Sequence, residues 1–224
     1  MTAGRKTLEI VPSLLAADLS RMGELVAQVR SAGMRWISVD VMDGHFVPNL
    51  SFGPDHVRMV KALGVPVVDA HLMVDNPGRA VPWFIDAGAD FVTIHAESCA
   101  DPGPVLAAIR KSGAKAGLAV KPATAASALT PWLASIDLAL IMTVEPGFGG
   151  ARFLSGMLPK IKAVRQAIDA GGHDCWLQVD GGINSETIVA AAQAGADSLV
   201  AGSAVFGASD PASAFKGLRE KISV

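Results

Sequence analysis

A glycine-containing turn recurs along this chain, each time just ahead of a short run rich in valine, isoleucine and leucine. The glycines at positions 33, 64, 88, 113, 171 and 195 are separated by 31, 24, 25, 58 and 24 residues. The longest interval contains a further apolar run after Asp137. Because glycine closes helix ends in the left-handed conformation, the pattern predicts a helix, a turn and a strand repeated about every 28 residues.

The repeat predicts eight strands, each followed by a helix, which is typical of a parallel α/β sheet. Eight such units within 224 residues fit a (β/α)8 TIM barrel. An open doubly wound sheet is the alternative, because periodicity does not show whether a sheet closes. The predicted strands are Glu9–Leu15, Trp36–Val41, Val67–Met73, Phe91–His95, Lys115–Val120, Leu138–Val144, Trp176–Asp180 and Ser198–Ala201. The clearest predicted helices are Leu19–Ser31, Pro77–Ala87, Pro102–Lys111, Leu158–Ala170 and Ser185–Ala194.

Composition and charge exclude several other classes of protein. Half of the residues are hydrophobic and the net charge is −2, which excludes a disordered chain and a basic surface for nucleic acid. No apolar run approaches the roughly 18–20 residues that span a bilayer. The segment Met1–Lys6 leads directly into the first strand, without a signal-peptide core. We expect one domain over residues 1–224, in the cytoplasm, with Cys99 and Cys175 reduced.

Polar residues alternate with apolar ones along three predicted strands and stand near the carboxyl end of each. Because side chains alternate between the two faces of a strand, Asp40, His71 and Asp180 are predicted to point into the barrel. A lone aspartate is most often a turn former, and a lone histidine is most often a core residue. Three together at the carboxyl ends, where such barrels place their active sites, indicate a functional site.

Glycine-rich loops follow three neighbouring predicted strands. Residues 146–150 follow the sixth strand, Gly181 and Gly182 the seventh, and Gly202 and Ser203 the eighth. Glycine lets backbone N–H groups approach an anion closely, and a phosphate site after strands seven and eight recurs in these barrels. Tight turns would explain one such loop, but three on adjacent strands favour a phosphorylated ligand.

Six motifs stand in order along the chain: VPSLLAAD at 11–18, DVMDGHFVPNL at 40–50, DAHLMV at 69–74, MTVEPGFGG at 142–150, VDGGI at 179–183 and GSA at 202–204. Together they resemble the ribulose-phosphate 3-epimerase family, over nearly the whole length. The resemblance implies a barrel of the ribulose-phosphate-binding type. It also implies an isomerase of the pentose phosphate pathway that interconverts D-ribulose 5-phosphate and D-xylulose 5-phosphate.

The resemblance further implies a role for each polar residue. Asp40 would accept and Asp180 would donate the proton at C3, through an enediolate that a divalent metal ion stabilises. Asp40, His71 and Asp180 would hold that ion. The residues implied to bind substrate are Ser13, His71, Gly147, Phe148, Gly149, Gly150, Gly181, Gly182, Gly202 and Ser203.

One departure from the family pattern affects the expected metal site. Where the family has a histidine as fourth ligand, two residues before the first of these aspartates, this chain has Ser38. A hydroxyl is a poorer ligand than imidazole, so we expect weakened binding. Zinc is the first choice, and manganese, iron, cobalt and magnesium remain open. Ala151 also replaces a glutamine after the glycine run.

Two other functions remain open from the sequence. An epimerase for another ketose phosphate, such as D-allulose 6-phosphate, would carry the same acids and phosphate loops. A non-catalytic sugar-phosphate-binding barrel would result if the altered metal site had abolished catalysis, although Asp40, His71 and Asp180 are all retained. We expect a small-molecule sugar-phosphate substrate, no nucleic-acid or membrane partner, and a homo-oligomer.

Overall fold

The computed structural model describes residues 6–222, in which eight strands form one parallel sheet. Hydrogen-bonded neighbours follow the order β1-β8-β7-β6-β5-β4-β3-β2, and a parallel bridge from Ser13 to Ser38 links the end of β1 to β2. The sheet therefore closes on itself, which confirms the (β/α)8 barrel and excludes the open sheet. The strands are β1 (Glu9–Pro12), β2 (Trp36–Met42), β3 (Val67–Met73), β4 (Phe91–His95), β5 (Lys115–Val120), β6 (Leu138–Met142), β7 (Trp176–Asp180) and β8 (Ser198–Ala201).

Helices cover the outer face of the barrel. The outward residues of the strands, such as Val39 on β2, Leu72 on β3 and Val179 on β7, are fully buried against them in one apolar cluster. Burial of this layer provides the main driving force for folding. The helices are α1 (Met22–Ser31), α2 (Pro54–Ala62), α3 (Pro77–Asp86), α4 (Gly103–Lys111), α5 (Leu158–Gly171), α6 (Ile188–Ala194), α7 (Ser203–Phe206) and α8 (Pro211–Ile222).

The connection between β5 and β6 departs from the predicted alternation of strands and helices. Two short 3₁₀ turns, Ala126–Ala128 and Thr130–Trp132, stand where an α-helix was expected. Pro131 has no N–H to donate to the carbonyl four residues earlier, so an α-helix cannot run through this segment undisturbed. The expectation of eight regular strand–helix pairs is wrong at this point.

Two helices begin three residues later than predicted because side chains hold the preceding residues in turns. Asp18 accepts hydrogen bonds from the N–H and hydroxyl of Ser20, and α1 begins only at Met22. Asn184 accepts from the N–H groups of the next turn, and α6 begins at Ile188. Short polar side chains compete with the helix for backbone partners in this way.

Two strands end earlier than predicted. β1 ends at Pro12, because the Ser13 hydroxyl accepts the N–H two residues further on and starts a 3₁₀ turn. β6 ends at Met142, where the hydroxyl of Thr143 donates to the carbonyl of Gly181 at 2.6 Å. Both early endings bring loop residues to the carboxyl rim of the barrel.

Aromatic side chains fill the amino end of the barrel interior. Trp36, Phe91 and Trp176 are the first residues of β2, β4 and β7. The Trp36 ring stacks on Phe91 at 4.7 Å between centroids and meets Trp176 edge-on at 5.3 Å. The interior is therefore plugged at this end, and the opposite end holds the polar residues.

Residues 6–222 contain no helix that is both long and apolar enough to cross a membrane. The prediction of a single domain over residues 1–224 stays a prediction. Residues 1–5 and 223–224 lie outside the described residues, and so does most of the segment that was predicted to lack a signal-peptide core.

We expect Cys175 to resist thiol reagents in the folded protein. Its side chain is 1% exposed, and burial raises the pKa of the thiol to about 12, so little reactive thiolate forms at neutral pH. The half-buried Cys99 serves as the internal comparison. Mass spectrometry after iodoacetamide treatment should find Cys175 labelled only after denaturation. Rapid labelling of Cys175 in the native protein would contradict this packing.

Candidate active site

The structure brings Asp40, His71 and Asp180 together at the carboxyl end of the barrel. One oxygen or nitrogen atom from each lies within 4.8 Å of those from the other two. His71 Nδ1 is 2.9 Å from Asp40 Oδ1 and 3.7 Å from Asp180 Oδ2. Asp40 and His71 are paired in register on β2 and β3, whereas Asp180 ends β7. Strands β1 and β8 separate β2 from β7, so the two carboxyl groups approach from different sides.

Two serine hydroxyls and one imidazole surround the buried Asp40 carboxyl group. Ser13 donates to Oδ2, and Ser38 donates to Oδ1 at 3.2 Å. Burial alone would raise the pKa of Asp40. The hydrogen bond and charge of His71, together with the bonds from both serines, outweigh burial and hold that pKa below its ordinary value. Asp40 is therefore an ionised base at neutral pH.

The carboxyl group of Asp180 has the opposite protonation behaviour. Burial, followed by the negative charge of Asp40, raises the pKa of Asp180 to about 8, although His71 opposes this rise. At neutral pH, without a metal ion, Asp180 therefore carries its proton. Two carboxyl groups whose pKa values are pushed apart are the arrangement expected of a paired base and acid.

His71 lies behind the two aspartates and does not reach the wall of the pocket. Its side chain is buried, Nδ1 faces Asp40 and Asp180, and Nε2 is 2.9 Å from Nε2 of His95. Burial lowers the pKa of His71, but the hydrogen bond and charge of Asp40 and the charge of Asp180 raise it above its ordinary value overall. The contact between His71 and substrate that the resemblance implies stays a prediction.

A pocket opens above this cluster. Every residue of the predicted catalytic and substrate-binding set except His71 lines it. These lining residues are Ser13, Asp40, Gly147, Phe148, Gly149, Gly150, Asp180, Gly181, Gly182, Gly202 and Ser203.

Two of the pocket glycines cannot be replaced without strain. Gly181 and Gly182 have φ values of +120° and +67°. Residues with a side chain rarely adopt this backbone conformation. A Cβ at Gly182 would lie 2.2 Å from the backbone nitrogen of Phe153, and one at Gly181 would lie 2.4 Å from Val144 Cγ2. Glycine here lets the loop after β7 pass close to the loop after β6.

Methionine side chains and a loop contact complete the pocket. Met42, Met73 and Met142 are buried and line it, so the wall between the acids and the loops is apolar. The amide of Asn49, in the loop after β2, donates to the carbonyl of Gly147 at 2.8 Å and joins two loops across the opening. The acids therefore lie beside apolar side chains, and the glycine-rich loops present polar backbone groups to the same pocket.

The donor atoms of the cluster fit a divalent cation. Two carboxylates and one imidazole supply three ligands, the number that catalytic zinc sites commonly use beside water. Carboxylate oxygens also suit magnesium and manganese. Ser38 faces the same cluster, since its hydroxyl touches Asp40, so position 38 lies beside the three donors.

Sequence reasoning missed the polar residues at the end of β4. His95 is fully buried against His71, and Glu97 follows two residues later with Oε2 at 3.3 Å from His95 Nδ1. His95 occupies the last position of β4 on its inward face, beyond Thr93. The alternation rule that selected Asp40 could have selected it too. Burial lowers the pKa of His95 to about 4, so its ring is neutral.

A model of the Ribulose-phosphate 3 epimerase family matches residues 9–206, from the start of β1 to the end of α7. Ribulose-phosphate 3-epimerase of Mycobacterium bovis is 49% identical over 212 residues, covering 95% of this chain and 92% of the relative. The Bacillus subtilis protein of the same name is 42% identical over 213 residues, covering 95% and 98%.

Solved structures with lower identity share the barrel. The 3-hexulose-6-phosphate synthase from Salmonella typhimurium superposes with a TM-score of 0.72 at 20% identity, covering 96% of this chain and 98% of that one. At that identity the likeness extends to the fold alone. The family match and the close relatives span nearly the whole barrel, and the chain therefore belongs to the ribulose-phosphate 3-epimerase family.

Proposed function

We propose that this protein interconverts D-ribulose 5-phosphate and D-xylulose 5-phosphate by inverting C3. The relatives that carry the name of this activity support it. The observation that carries the proposal is the pair of carboxyl groups that line one pocket and meet at His71. Their pKa values are shifted in opposite directions, that of Asp40 below and that of Asp180 above the ordinary value. Epimerisation beside a ketone requires a base and an acid in this arrangement.

The two acids act on opposite faces of C3. Asp40, fixed by Ser13, Ser38 and His71, removes the C3 proton from one face. The product of this step is a planar enediolate. Asp180, reaching in from β7, delivers its proton to C3 from the other face, and the reverse reaction exchanges the two roles. A single base on one face could return the proton only with the original configuration.

Asp40, His71 and Asp180 would hold one divalent metal ion. The ion would offset the negative charge that builds up on the substrate oxygens during proton removal. Its binding requires His71 to present an unprotonated nitrogen towards the two aspartates, and Nδ1 is the nitrogen that faces them.

The phosphate group would bind at the glycine-rich rim. Backbone N–H groups of residues 147–150, Gly181, Gly182, Gly202 and Ser203 would surround it, since all of these residues line the same pocket. Binding there would place the far end of a five-carbon chain at the acids. We also keep a homo-oligomer and a cytoplasmic location as predictions.

A solvent-exchange assay tests the proposed function. Wild-type protein in deuterium oxide with D-ribulose 5-phosphate should produce D-xylulose 5-phosphate carrying deuterium at C3, which proton NMR detects. A parallel reaction with D-allulose 6-phosphate separates the two ketose phosphates by kcat/KM. Binding of the sugar phosphate without exchange would identify a non-catalytic barrel, and a preference for the hexulose would replace the proposed substrate.

We expect Ser38→His to tighten metal binding. Position 38 lies beside Asp40 on the inward face, so an imidazole there adds a fourth ligand where the hydroxyl is a poor one. Zn²⁺ titration of metal-free wild type, Ser38→His and the control Ser38→Ala should give the lowest Kd for the histidine variant, with unchanged circular dichroism.

Two results would contradict this picture of the metal site. Equal Zn²⁺ affinity of wild type and a folded Ser38→His would mean that position 38 does not contribute to the site. Full activity of rigorously metal-free wild type would remove the ion from the mechanism and leave the carboxyl groups to act alone.

A further inference from the structure

A line of buried polar contacts continues behind the cluster of acids. His71 Nε2 is 2.9 Å from His95 Nε2, and His95 Nδ1 is 3.3 Å from Glu97 Oε2. The side chain of His95 is fully buried. The proposed roles of the acids do not use His95, which lies directly behind His71, or Glu97, which lies behind His95.

The proton positions along this line are determined by Glu97. Its Oε1 accepts the N–H of Lys121 at 2.7 Å and the hydroxyl of Thr124. These two donors and His95 Nδ1 surround the carboxylate, and an ionised carboxylate only accepts hydrogen bonds. The bonds from His95, Thr124 and Lys121 lower the pKa of Glu97 to about 2, although its partial burial opposes this. The 3.3 Å contact therefore has His95 Nδ1 as its donor, and a ring that carries its one proton on Nδ1 leaves Nε2 as an acceptor.

An acceptor at His95 Nε2 requires a donor at His71 Nε2, because two ring nitrogens at 2.9 Å share one hydrogen. In neutral His71 the proton then resides on Nε2, and the lone pair is left on Nδ1. That nitrogen is the one that faces Asp40 and Asp180. A partner on the second nitrogen fixes the tautomer and ring orientation of a metal-binding histidine.

We propose that His95 and Glu97 are positioning residues that keep the proton of His71 on Nε2, so that Nδ1 is available to a divalent cation. This inference rests on the metal site of the proposed function. It assigns a purpose to a fully buried imidazole, which would otherwise only cost desolvation, and to the partly exposed carboxylate that accepts from it.

The loop after β5 keeps Glu97 in place. Lys160, from α5, donates to the carbonyls of Pro122 and Thr124 at 2.7 and 2.6 Å, while Glu97 binds the N–H and hydroxyl groups of the same loop. The loop is therefore held from both sides, and the carboxylate is fixed in the orientation that His95 needs.

NMR of protein labelled with ¹⁵N in histidine tests the proton positions directly. Two-bond proton–nitrogen spectra of the Zn²⁺-loaded wild type should show His95 with its proton on Nδ1 and His71 with its proton on Nε2. Neutral histidine in water favours the Nε2–H form, so the Nδ1–H form at His95 reports the influence of Glu97. An Nε2–H form at His95 in wild type would overturn the proposal.

Glu97→Gln should reverse the tautomer of His95. The Lys121 N–H requires the amide oxygen of the new side chain, which leaves its NH₂ group facing His95 Nδ1. His95 would then carry its proton on Nε2, opposite the donor of His71. We expect the NMR pattern of His95 to change and the affinity for Zn²⁺ to fall about 10–100-fold.

A matched pair at position 95 provides a second test. His95→Gln keeps an oxygen acceptor for His71 Nε2–H, whereas His95→Leu removes it. In metal-free protein titrated with Zn²⁺ alone, His95→Leu should bind about 10–100-fold more weakly and His95→Gln within a fewfold of wild type. Equal affinities of folded His95→Leu and wild type, or absence of Zn²⁺ binding by wild type, would overturn the proposal.

These measurements contain no substrate, so they are separate from the test of the proposed function. A wild type that binds Zn²⁺ with the expected tautomers but does not epimerise would leave the positioning role intact and reject the activity. An active enzyme in which His95→Leu binds Zn²⁺ like wild type would have the activity without the positioning role.

Discussion

Asp40→Asn and Asp180→Asn should each abolish measurable epimerisation while leaving the barrel folded. In the proposed mechanism each carboxyl group serves one face of C3, and asparagine can neither accept nor donate a proton there. General acid–base catalysis by one such group is worth about 10²–10⁴-fold, so kcat should fall at least by that factor. The measurement is kcat for D-ribulose 5-phosphate, with Asp55→Asn, an exposed carboxylate on α2, as the control.

Stability measurements separate lost chemistry from lost structure in these variants. The raised pKa of Asp180 means that the folded protein binds the proton more tightly than the unfolded chain does. In metal-free wild type the free energy of unfolding should therefore fall as the pH rises from about 4 to about 8. Over the same pH range, the free energy of unfolding of Asp180→Asn should fall less than that of wild type.

The stability contributed by the Asp40 carboxyl group should have the opposite pH dependence. Its lowered pKa contributes stability that is present above its unfolded value and is lost as the pH falls below it. Asp40→Asn should therefore lower stability modestly at neutral pH. If either folded variant retained near-full turnover, the two-acid scheme would be wrong.

The barrel could be predicted from sequence because its signals are local. Alternation predicted that Asp40, His71 and Asp180 would point into the barrel, and the structure brings them within 4.8 Å of one another, since period two depends only on the strand itself. The failures arose where a side chain or a proline overrides the pattern. Asn184 delays α6, and two short 3₁₀ turns, the second containing Pro131, replace a helix between β5 and β6.

The electrostatics of the site could not be predicted in the same way. The pKa values of Asp40 and Asp180 move in opposite directions, although both are aspartates at strand ends. The difference comes from partners on other strands. Ser13, which follows β1, and His71, on β3, bind Asp40, while the partly buried Asp180 lies near the negative charge of Asp40. Only the closed barrel determines which groups meet.

Removing the phosphate from the substrate should lower kcat/KM by about 10²-fold or more. The phosphate would bind at the glycine-rich rim, and the acids lie at the bottom of the same pocket. Binding energy from a group remote from C3 can position the reacting carbon, and a displacement of about 1 Å can cost 10²-fold. Free D-ribulose and D-ribulose 5-phosphate should be compared in the same assay. Similar kcat/KM values would refute the phosphate site.

Gly149→Asp should raise KM for the phosphorylated substrate, because it places a negative charge in the proposed phosphate loop. Gly149 suits this test since a Cβ there meets nothing within 4 Å, whereas one at Gly182 would strike the backbone of Phe153 and disturb the fold. The neutral, equally sized Gly149→Asn is the control. If the rim binds phosphate, the aspartate variant alone should lose affinity for D-ribulose 5-phosphate while its kcat/KM for free D-ribulose stays near that of Gly149→Asn. Equal losses in both variants would mean that side-chain volume, and not repulsion of an anion, is responsible.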